Sequence, residues 1–380
     1  MNERLSAHFT VQVGDEQWGN KNYNEREINL RTLYAYLQFR PEFLGDHTSF
    51  RVGLQGYDDV FQYSIWSDEA VGLIINHATD RFNANIGYLS LRDDDVDSDV
   101  DFAPDAEGLF TASETLYLFD MNYQFTDALN IKAAFYYDDM HNLPAWQPMD
   151  YRSRVAFYGL GADYMMNDAL SFGGNFVMRS GSNTVVEEGE ELAKFEQKGY
   201  FAYLYSSYTM NKFSAKVNFG YTPANIESNA DGLEVTNWSG AFALLSSDPM
   251  MIIYGIGGGN QWQTAYGLEY FGRGDVCDRQ AVNSGYGGIF GLMVVSANIS
   301  YDFLYANFGI MRATADEDFV GDDFEYSFGS ELDLGIRTDI IENLEFKAVY
   351  AMFFTGDFYS YSGEKLDNAH EMSMQLRYAF

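Results

Sequence analysis

Apolar and polar residues alternate with period 2 through most of the chain. In one segment, the apolar positions are Leu129, Ile131, Ala133, Phe135 and Tyr137, and the positions between them are Asn130, Lys132, Ala134 and Tyr136. Such alternation is typical of β-strands with one polar and one apolar face. No segment shows a 3.6-residue period with caps at both ends, so we expect little helix.

The connections between these segments alternate in length. Tight turns are predicted at Thr126–Ala128, Asn167–Ala169, Asn211–Lys212, Ser247–Pro249 and Asp302–Phe303, and long polar segments near 14–27, 58–69, 93–113, 138–152, 180–197, 222–236, 257–284, 314–323 and 355–367. Long extracellular loops that alternate with short periplasmic turns are typical of transmembrane β-barrels. Two near-copies, Phe125–Leu129 and Met166–Leu170, each include one of the tight turns and indicate a repeated hairpin.

The predicted fold is therefore all-β: a transmembrane antiparallel up-and-down β-barrel with about eighteen strands. The count falls to sixteen if segments 236–246 and 250–256 lie outside the wall. We expect one barrel domain over residues 1–380, with both termini periplasmic. A soluble β-sandwich or propeller is the alternative, but it explains neither the aromatic residues on nearly every strand nor the unequal connections.

Composition agrees with this fold. The chain has 380 residues, 23 Lys and Arg against 56 Asp and Glu, a net charge of −33 and a single Cys. One cysteine excludes a disulfide framework. The charge argues against a nucleic-acid partner, because phosphate is bound by basic surfaces. No apolar run is long enough for a transmembrane helix.

The C-terminal segment has the pattern of an assembly signal. Leu376, Tyr378 and Phe380 share one parity and end the chain with an aromatic residue. This resembles the C-terminal strand signal of bacterial outer-membrane barrels, which the barrel-assembly machinery recognises. We therefore expect an integral protein of the bacterial outer membrane, in contact with lipid and lipopolysaccharide.

The whole-chain pattern resembles the alginate-export-like family of outer-membrane porins. The segments Phe50–Gln55, Val71–Ile75 and Ile86–Leu89 are similar to strands of that group. The resemblance implies eighteen strands, no plug domain and a channel function. The alginate exporters of that family have a strongly basic lumen, whereas basic residues are few here.

Charged residues on the polar parity are the candidates for a constriction. They must face water, because charge on the lipid face of a barrel is costly. The candidates are Arg51, Lys132, Arg179, Arg337, Arg377, Glu331, Asp333 and Glu371. They would orient charged or dipolar solutes. The alternative is a lumen whose charges simply pair with one another.

Acidic residues are concentrated in three predicted loops. Segment 93–113 has eight acids, segment 181–197 has five acids and one Lys, and segment 314–323 has five acids. Such a rim attracts cations. Asp95, Asp97, Asp99 and Asp101 have the spacing of a calcium loop but lack its Gly and distal Glu. They are either solvated acids, a loose Ca²⁺ site or a bridge to the divalent ions of lipopolysaccharide; no other cofactor is expected.

The sequence thus predicts an outer-membrane channel for passive diffusion of small hydrophilic solutes or ions. A non-conducting barrel that docks an extracellular partner is the second hypothesis, and a homo-oligomer stays open. An outer-membrane enzyme is disfavoured, because the five His residues are scattered and nucleophile motifs are absent.

Overall fold

The computed structural model describes residues 4–13, 30–61, 67–96, 110–143, 149–187, 190–222, 226–229, 232–235, 291–314, 327–357 and 367–378. The strands are β1 (Leu5–Val13), β2 (Leu30–Phe39), β3 (Thr48–Asp58), β4 (Ser67–Ala78), β5 (Phe82–Val96), β6 (Phe110–Gln124), β7 (Leu129–Leu143), β8 (Met149–Met165), β9 (Leu170–Glu187), β10 (Glu190–Met210), β11 (Phe213–Thr222), β12 (Ile226–Asn229), β13 (Gly232–Val235), β14 (Gly291–Tyr301), β15 (Leu304–Thr314), β16 (Ser327–Ile341), β17 (Leu344–Thr355) and β18 (Ala369–Tyr378). One 3₁₀ turn, Glu42–Leu44, precedes β3.

The strands form one antiparallel up-and-down sheet. The first eleven strands pair in chain order, from β1 with β2 to β10 with β11. The last five also pair in chain order, from β14 with β15 to β17 with β18. Between these two series, β11 pairs directly with β14, from Phe213 opposite Tyr301 to Thr222 opposite Leu292. The described wall therefore has sixteen strands in series, the lower of the two predicted counts.

The eighteen-strand prediction placed two further strands between β11 and β14, which pair directly with each other. Segments 236–246 and 250–256 follow β11, and the direct pairing of β11 with β14 leaves no room for them in the sheet at that point. Their residues, and the tight turn predicted at Ser247–Pro249, lie outside the described ranges.

Side-chain hydrogen bonds close the two near-copy turns in the same way. Asn167 Oδ1 accepts the backbone N–H groups of Ala169 and Leu170, both at 2.9 Å. Thr126 Oγ1 accepts those of Ala128 at 3.2 Å and Leu129 at 3.0 Å. Short polar side chains favour turns because they replace a backbone partner. These two predicted turns are confirmed.

The three two-residue turns use another device. Asn211, Asp302 and Asn343 have φ angles of 55°, 57° and 66°. Asn and Asp tolerate this left-handed region better than other non-glycine residues, and such turns match the twist of a hairpin. All of these short connections lie at one end of the wall, as the alternation predicted.

Two predicted long loops are wrong. Segment 138–152 is mostly strand, because β7 continues to Leu143 and β8 begins at Met149. Segment 180–197 is also strand on both sides of residues 188–189, where β9 ends and β10 begins. Charged and polar residues hide the continuation of a strand once it leaves an apolar environment, since the alternation in hydrophobicity then disappears.

These extensions make the wall uneven. Strand β10 has 21 residues, whereas β18 has 10. The hairpin of β12 and β13 adds to the tall side, because β13 pairs in parallel with β10, with Leu233 opposite Phe195. At about 3.4 Å per residue, the tall side extends well beyond a bilayer core.

The sheet curls so that distant strands meet on its inner face. The Tyr57 hydroxyl on β3 lies 3.4 Å from the Tyr136 hydroxyl on β7, although three strands separate them in the sheet. The two rings meet edge to face at 6.5 Å. A contact of this kind needs strong curvature, and the fold is a β-barrel wall.

Candidate solute pathway on the inner face

The outer face of the wall is apolar and exposed. Phe9 on β1 is 72% exposed and Leu160 on β8 is 66% exposed, and large apolar residues with the same outward parity occur on β2 to β11 and β14 to β18. Soluble monomers rarely present so continuous an apolar surface. Within the described part of the chain, no helix is long and apolar enough to cross a lipid bilayer.

The inner face has two levels along the strands. Nearest the short connections, the inward positions form a polar belt: Asn76, Asn85, Asp120, Asn130, Lys132, Asp163, Asn218, Ser296, Asn298, Asn307, Arg337, Glu345 and Lys347. Farther along β3 to β10, an inner cluster of buried residues follows: Tyr57, Phe61, Ala70, Ile74, Leu89, Leu116, Leu118, Ala134, Tyr136, Val177, Phe201 and Tyr203. The parity argument predicted a polar lumen, but only the belt is polar, because the inner cluster consists mainly of apolar side chains.

Phe61 lies at the centre of the inner cluster. It follows β3 by three residues and is fully buried. Its backbone N–H donates to Asp59 Oδ1 at 2.6 Å, and its carbonyl accepts from Asn175 Nδ2 on β9 at 3.5 Å. A Cβ atom at Gly159 on β8 would overlap the Phe61 ring, so glycine is needed there for packing. Segment 59–61 therefore folds into the lumen and contacts the opposite wall.

The first hydrogen-bond chain of the polar belt ends at the inner cluster. Asn76 Nδ2 donates to Asn85 Oδ1 at 2.9 Å, and Asn85 Nδ2 donates to Asp120 Oδ1 at 2.8 Å. The Tyr136 hydroxyl donates to Asp120 Oδ2 at 3.0 Å and meets Tyr57 across the lumen. Both oxygens of the buried Asp120 carboxyl group thus have hydrogen-bond partners, as buried polar groups generally do.

A second group surrounds Asp163 on β8. Lys132 Nζ on β7 lies 2.7 Å from Asp163 Oδ2, and the Lys132 side chain is 9% exposed. The Tyr205 hydroxyl donates to Asp163 Oδ1 at 2.9 Å, and Asn130 Nδ2 donates to Oδ2 at 3.4 Å. Lys216 Nζ lies 5.4 Å from the Tyr205 ring centre, a cation–π distance. Lys132 is therefore held by a carboxylate.

A third chain connects β10 to β16 through amides. The Tyr203 hydroxyl donates to Asn218 Oδ1 at 2.7 Å, and Asn218 Nδ2 donates to Ser296 Oγ at 3.1 Å. Asn298 Nδ2 donates to Asn307 Oδ1 at 3.2 Å. Two longer bonds complete the series, from Asn218 to Asn298 at 3.3 Å and from Asn307 to Asp333 at 3.4 Å. Neighbouring side chains thus satisfy the buried amides of Asn218 and Asn307.

Exposed charged side chains lie at the end of this series, on β16 to β18. Arg337 Nε donates to Glu345 Oε2 at 2.6 Å, and the Arg337 side chain is 64% exposed. Arg377 is opposite Glu345 in the β17–β18 register, and Lys347 is opposite Arg337. The Lys347 ammonium lies 5.9 Å from the Tyr305 ring centre. Three cations and one carboxylate thus share a patch that water reaches.

The eight predicted constriction residues divide among several places. Arg337 and Arg377 come together, and Arg51 lies on β3, 5.9 Å from the Tyr36 ring centre. Lys132 is paired with Asp163, while Arg179 is buried farther along β9, beside Val177. Glu331 and Asp333 are fully buried on β16, at the level beyond Arg337. The backbone of Glu371 is opposite Ala351 in the β17–β18 register, and the Glu371 side chain is not among the described ones.

The remaining predicted sites are described only in part. Asp95 is opposite Thr111 near the end of β5, and Asp97, Asp99 and Asp101 lie outside the described ranges. Within the described ranges, no group of three or more His, Cys, Asp or Glu is arranged to hold a metal ion. Leu376 and Tyr378 face outward and are exposed, as an alternating terminal strand requires, and Phe380 lies outside the described ranges.

The sequence offers little indication of the inner cluster. Phe61 lies inside a segment predicted as an external loop, and nothing in its sequence marks it as inward. Leu116 and Leu118 alternate with the outward Tyr117 and Phe119. A strand that is apolar on both parities indicates burial on both faces, so this run was the available signal for the inner cluster.

Comparisons with known proteins give limited likeness. No family model matches this chain, and no curated protein does either. Among solved structures, it is similar to a doubly substituted OccD1 (OprD), at TM-score 0.49 and 10% identity over 93% of this chain and 78% of that chain. It is also similar to OccD3 (OpdP) of Pseudomonas aeruginosa, at TM-score 0.47 and 11% identity over 93% and 79%. For OccK11 (OpdR) of the same organism the values are 0.46 and 10%, over 99% and 85%. At these scores the fold rests on the strand pairing of the chain itself, and the resemblance to the alginate-export-like family stays a prediction.

Proposed function

We propose that this protein is an outer-membrane channel that lets small hydrophilic solutes cross by passive diffusion. One observation carries the proposal: the same strands present an exposed apolar face outward and a hydrogen-bonded, charged belt inward. Along β7, for example, Phe135 is 40% exposed on the outer face, while Lys132 is buried on the inner face beside Asp163. Lipid around the barrel satisfies the exposed apolar face, and water or polar solute in the lumen satisfies the charged inner face.

The number of strands supports a conducting barrel. Barrels of about sixteen strands leave an aqueous channel, whereas barrels of about eight are filled by their own side chains. Segment 59–61 and the inner cluster narrow this lumen but contact mainly β3 to β10. The route for solute then follows the exposed charged patch on β16 to β18.

The finer parts of the proposal concern orientation and assembly. The short connections would face the periplasm and the tall wall of β8 to β10 the exterior, as in other barrels of this kind. Both termini would then be periplasmic, and Leu376 and Tyr378 would belong to the assembly signal. Protease added to intact cells should cut near residues 188–189 and spare the turn at Asn167–Ala169.

The decisive test is reconstitution of the purified barrel in planar bilayers. We expect stepwise ion conductance that scales with salt concentration. The channel proposal is overturned if no conductance steps appear with protein that is folded, as judged by a gel band that shifts only when the sample is heated in SDS. That result would favour a docking barrel, for which the extended wall of β8 to β10 and the β12–β13 hairpin offer a surface.

A further inference from the structure

A patch of cations lies on the outer face of the wall, just beyond the apolar surface. On β8, β9 and β10, the last apolar row consists of Tyr158, Met178 and Tyr200, which are neighbours in the register and are all exposed. In the next outward row, Ser180 is opposite both Ala156 and Lys198. Strands β9 and β10 therefore change from apolar to polar at this row, and β8 does so at the next outward position, Arg154.

Four basic side chains occupy the outward positions immediately beyond that boundary. Lys198 lies in the first polar row, Arg154 in the second, and Arg152 and Lys194 in the third, where both are opposite Thr184. All four are exposed. With strands about 4.8 Å apart and residues about 3.4 Å apart along each strand, the patch spans about 10–14 Å. We call these four residues the outer basic patch.

Neighbours on β7 hold the two arginines. Arg154 Nε lies 3.3 Å from Asp139 Oδ1, and the Arg154 side chain is still 58% exposed. Arg152 Nε lies 3.2 Å from His141 Nε2. Three acidic residues lie at neighbouring register positions: Asp150 and Glu191 are opposite Val186, and Glu196 is opposite Ser182. The two arginines are therefore held in place by β7, and the acidic neighbours confine the positive charge to the patch itself.

The position of the patch points to one kind of ligand. Tyrosines at the edge of an apolar belt mark the level where acyl chains end and head groups begin. Exposed Arg and Lys at that level meet the head groups, and Arg binds phosphate oxygens with a fork of N–H donors. In a chain with a net charge of −33, a cluster of four exposed cations at this one level is unexpected for a merely solvated surface.

We propose that the outer basic patch binds the phosphate groups of the outer-leaflet glycolipid at the base of the tall wall. The inference rests on the proposed function, because it requires that the barrel spans the outer membrane with β8 to β10 rising on the exterior. It assigns a role to polar strand extensions that a channel alone does not need. The ligand is a phosphorylated lipid whose chains cover the apolar belt while its phosphates contact Lys198, Arg152 and Lys194.

The test compares two lipids and two variants. Refolded full-length protein in detergent is titrated with bis-phosphorylated lipid A and with the same lipid after removal of its phosphates, both in EDTA. The triple variant Arg152→Gln/Lys194→Gln/Lys198→Gln is compared with Arg312→Gln, an exposed outward arginine near the end of β15. Thermal unfolding and native mass spectrometry report binding.

We expect the wild type and Arg312→Gln to bind the phosphorylated lipid at least about tenfold more tightly than the dephosphorylated one. The triple variant should lose that preference, and Arg152→Lys/Lys194→Arg/Lys198→Arg should keep it. Equal binding of both lipids by the wild type, an unchanged preference in the triple variant, or loss of binding in EDTA would each overturn the proposal. So would equal protection by inorganic phosphate alone.

Conductance separates this proposal from the proposed function. If the triple variant conducts like the wild type but loses lipid preference, both proposals hold. If the wild type shows no conductance yet keeps its preference for phosphate, only the channel proposal fails.

Discussion

On β4 to β7 the polar belt and the inner cluster share the same strands, and they differ in what surrounds their side chains. Along β6, the inward positions change from Asp120 to Leu118 and Leu116 as the strand leaves the short turns. Along β7, they change from Lys132 to Ala134 and Tyr136. In the belt, hydrogen bonds connect neighbouring strands. In the cluster, side chains pack across the lumen around Phe61.

The difference separates the part of the wall that is packed across the lumen from the part in which hydrogen bonds run only between neighbouring strands. Packing across the lumen fixes the curvature of β3 to β10, because Phe61 and Tyr57 bind strands that are far apart in the sheet. Hydrogen bonds within the belt satisfy inward amides that are themselves buried, such as Asn218 and Asn307, while the Arg337 side chain at the end of the belt is exposed. The following predictions test this contrast, in order of their expected effect on the free energy of unfolding.

The largest effect is expected for Lys132→Met. It leaves the Asp163 carboxylate in the belt without its cation, which costs about 3 kcal/mol when the charge is largely buried. Urea unfolding of the barrel in lipid vesicles measures the loss. The double variant Lys132→Met/Asp163→Asn should recover most of the stability, and a double variant no more stable than the single one would contradict this account of the pair.

Phe61→Ala should cost nearly as much and should also change the channel. Removing a buried phenyl ring destabilises a core by about 3 kcal/mol, and here it opens the lumen. We expect a larger single-channel conductance than in the wild type. Phe9→Ala, which removes an outward ring that is 72% exposed, serves as the control and should leave conductance unchanged. A Phe61→Ala channel of wild-type conductance would show that segment 59–61 does not narrow the route.

Asn298→Ala should have a smaller effect, confined to the belt. It removes one link between Asn218 and Asn307, and a typical hydrogen bond contributes about 1 kcal/mol. Because Asn298 itself is only half-buried, solvent can replace the lost amide. A loss above about 2 kcal/mol in the same urea assay would indicate that the belt is packed like the cluster.

Arg337→Glu should barely change stability but should change ion selectivity. The side chain is exposed, and exposed ion pairs contribute at most about 1 kcal/mol. Reversing a charge on the route favours cations, so the reversal potential in a salt gradient should shift toward the cation value. Arg312→Glu on the outer face is the control, and an equal shift in both variants would place the route elsewhere.

Much of the wall could be read from the chain. The turns at Thr126–Ala128 and Asn167–Ala169 and the outward parity of Phe135 and Val217 follow from local patterns. The sequence missed the strand extensions at 138–152 and 180–197, since strands outside an apolar environment lose their alternation. The constriction residues stay a prediction, and what the sequence did not indicate is that Lys132 is buried against Asp163 while Arg337 is exposed.

The sequence by itself determined which side chains face outward and where the chain turns, because period 2 and turn chemistry are properties of a few neighbouring residues. Tertiary structure decided the rest. The pairing of β11 with β14 set the number of strands in the described wall, and the curl of the sheet brought the Phe61 carbonyl to Asn175, 114 residues away. Such contacts depend on register and curvature summed over many strands, which no local pattern contains.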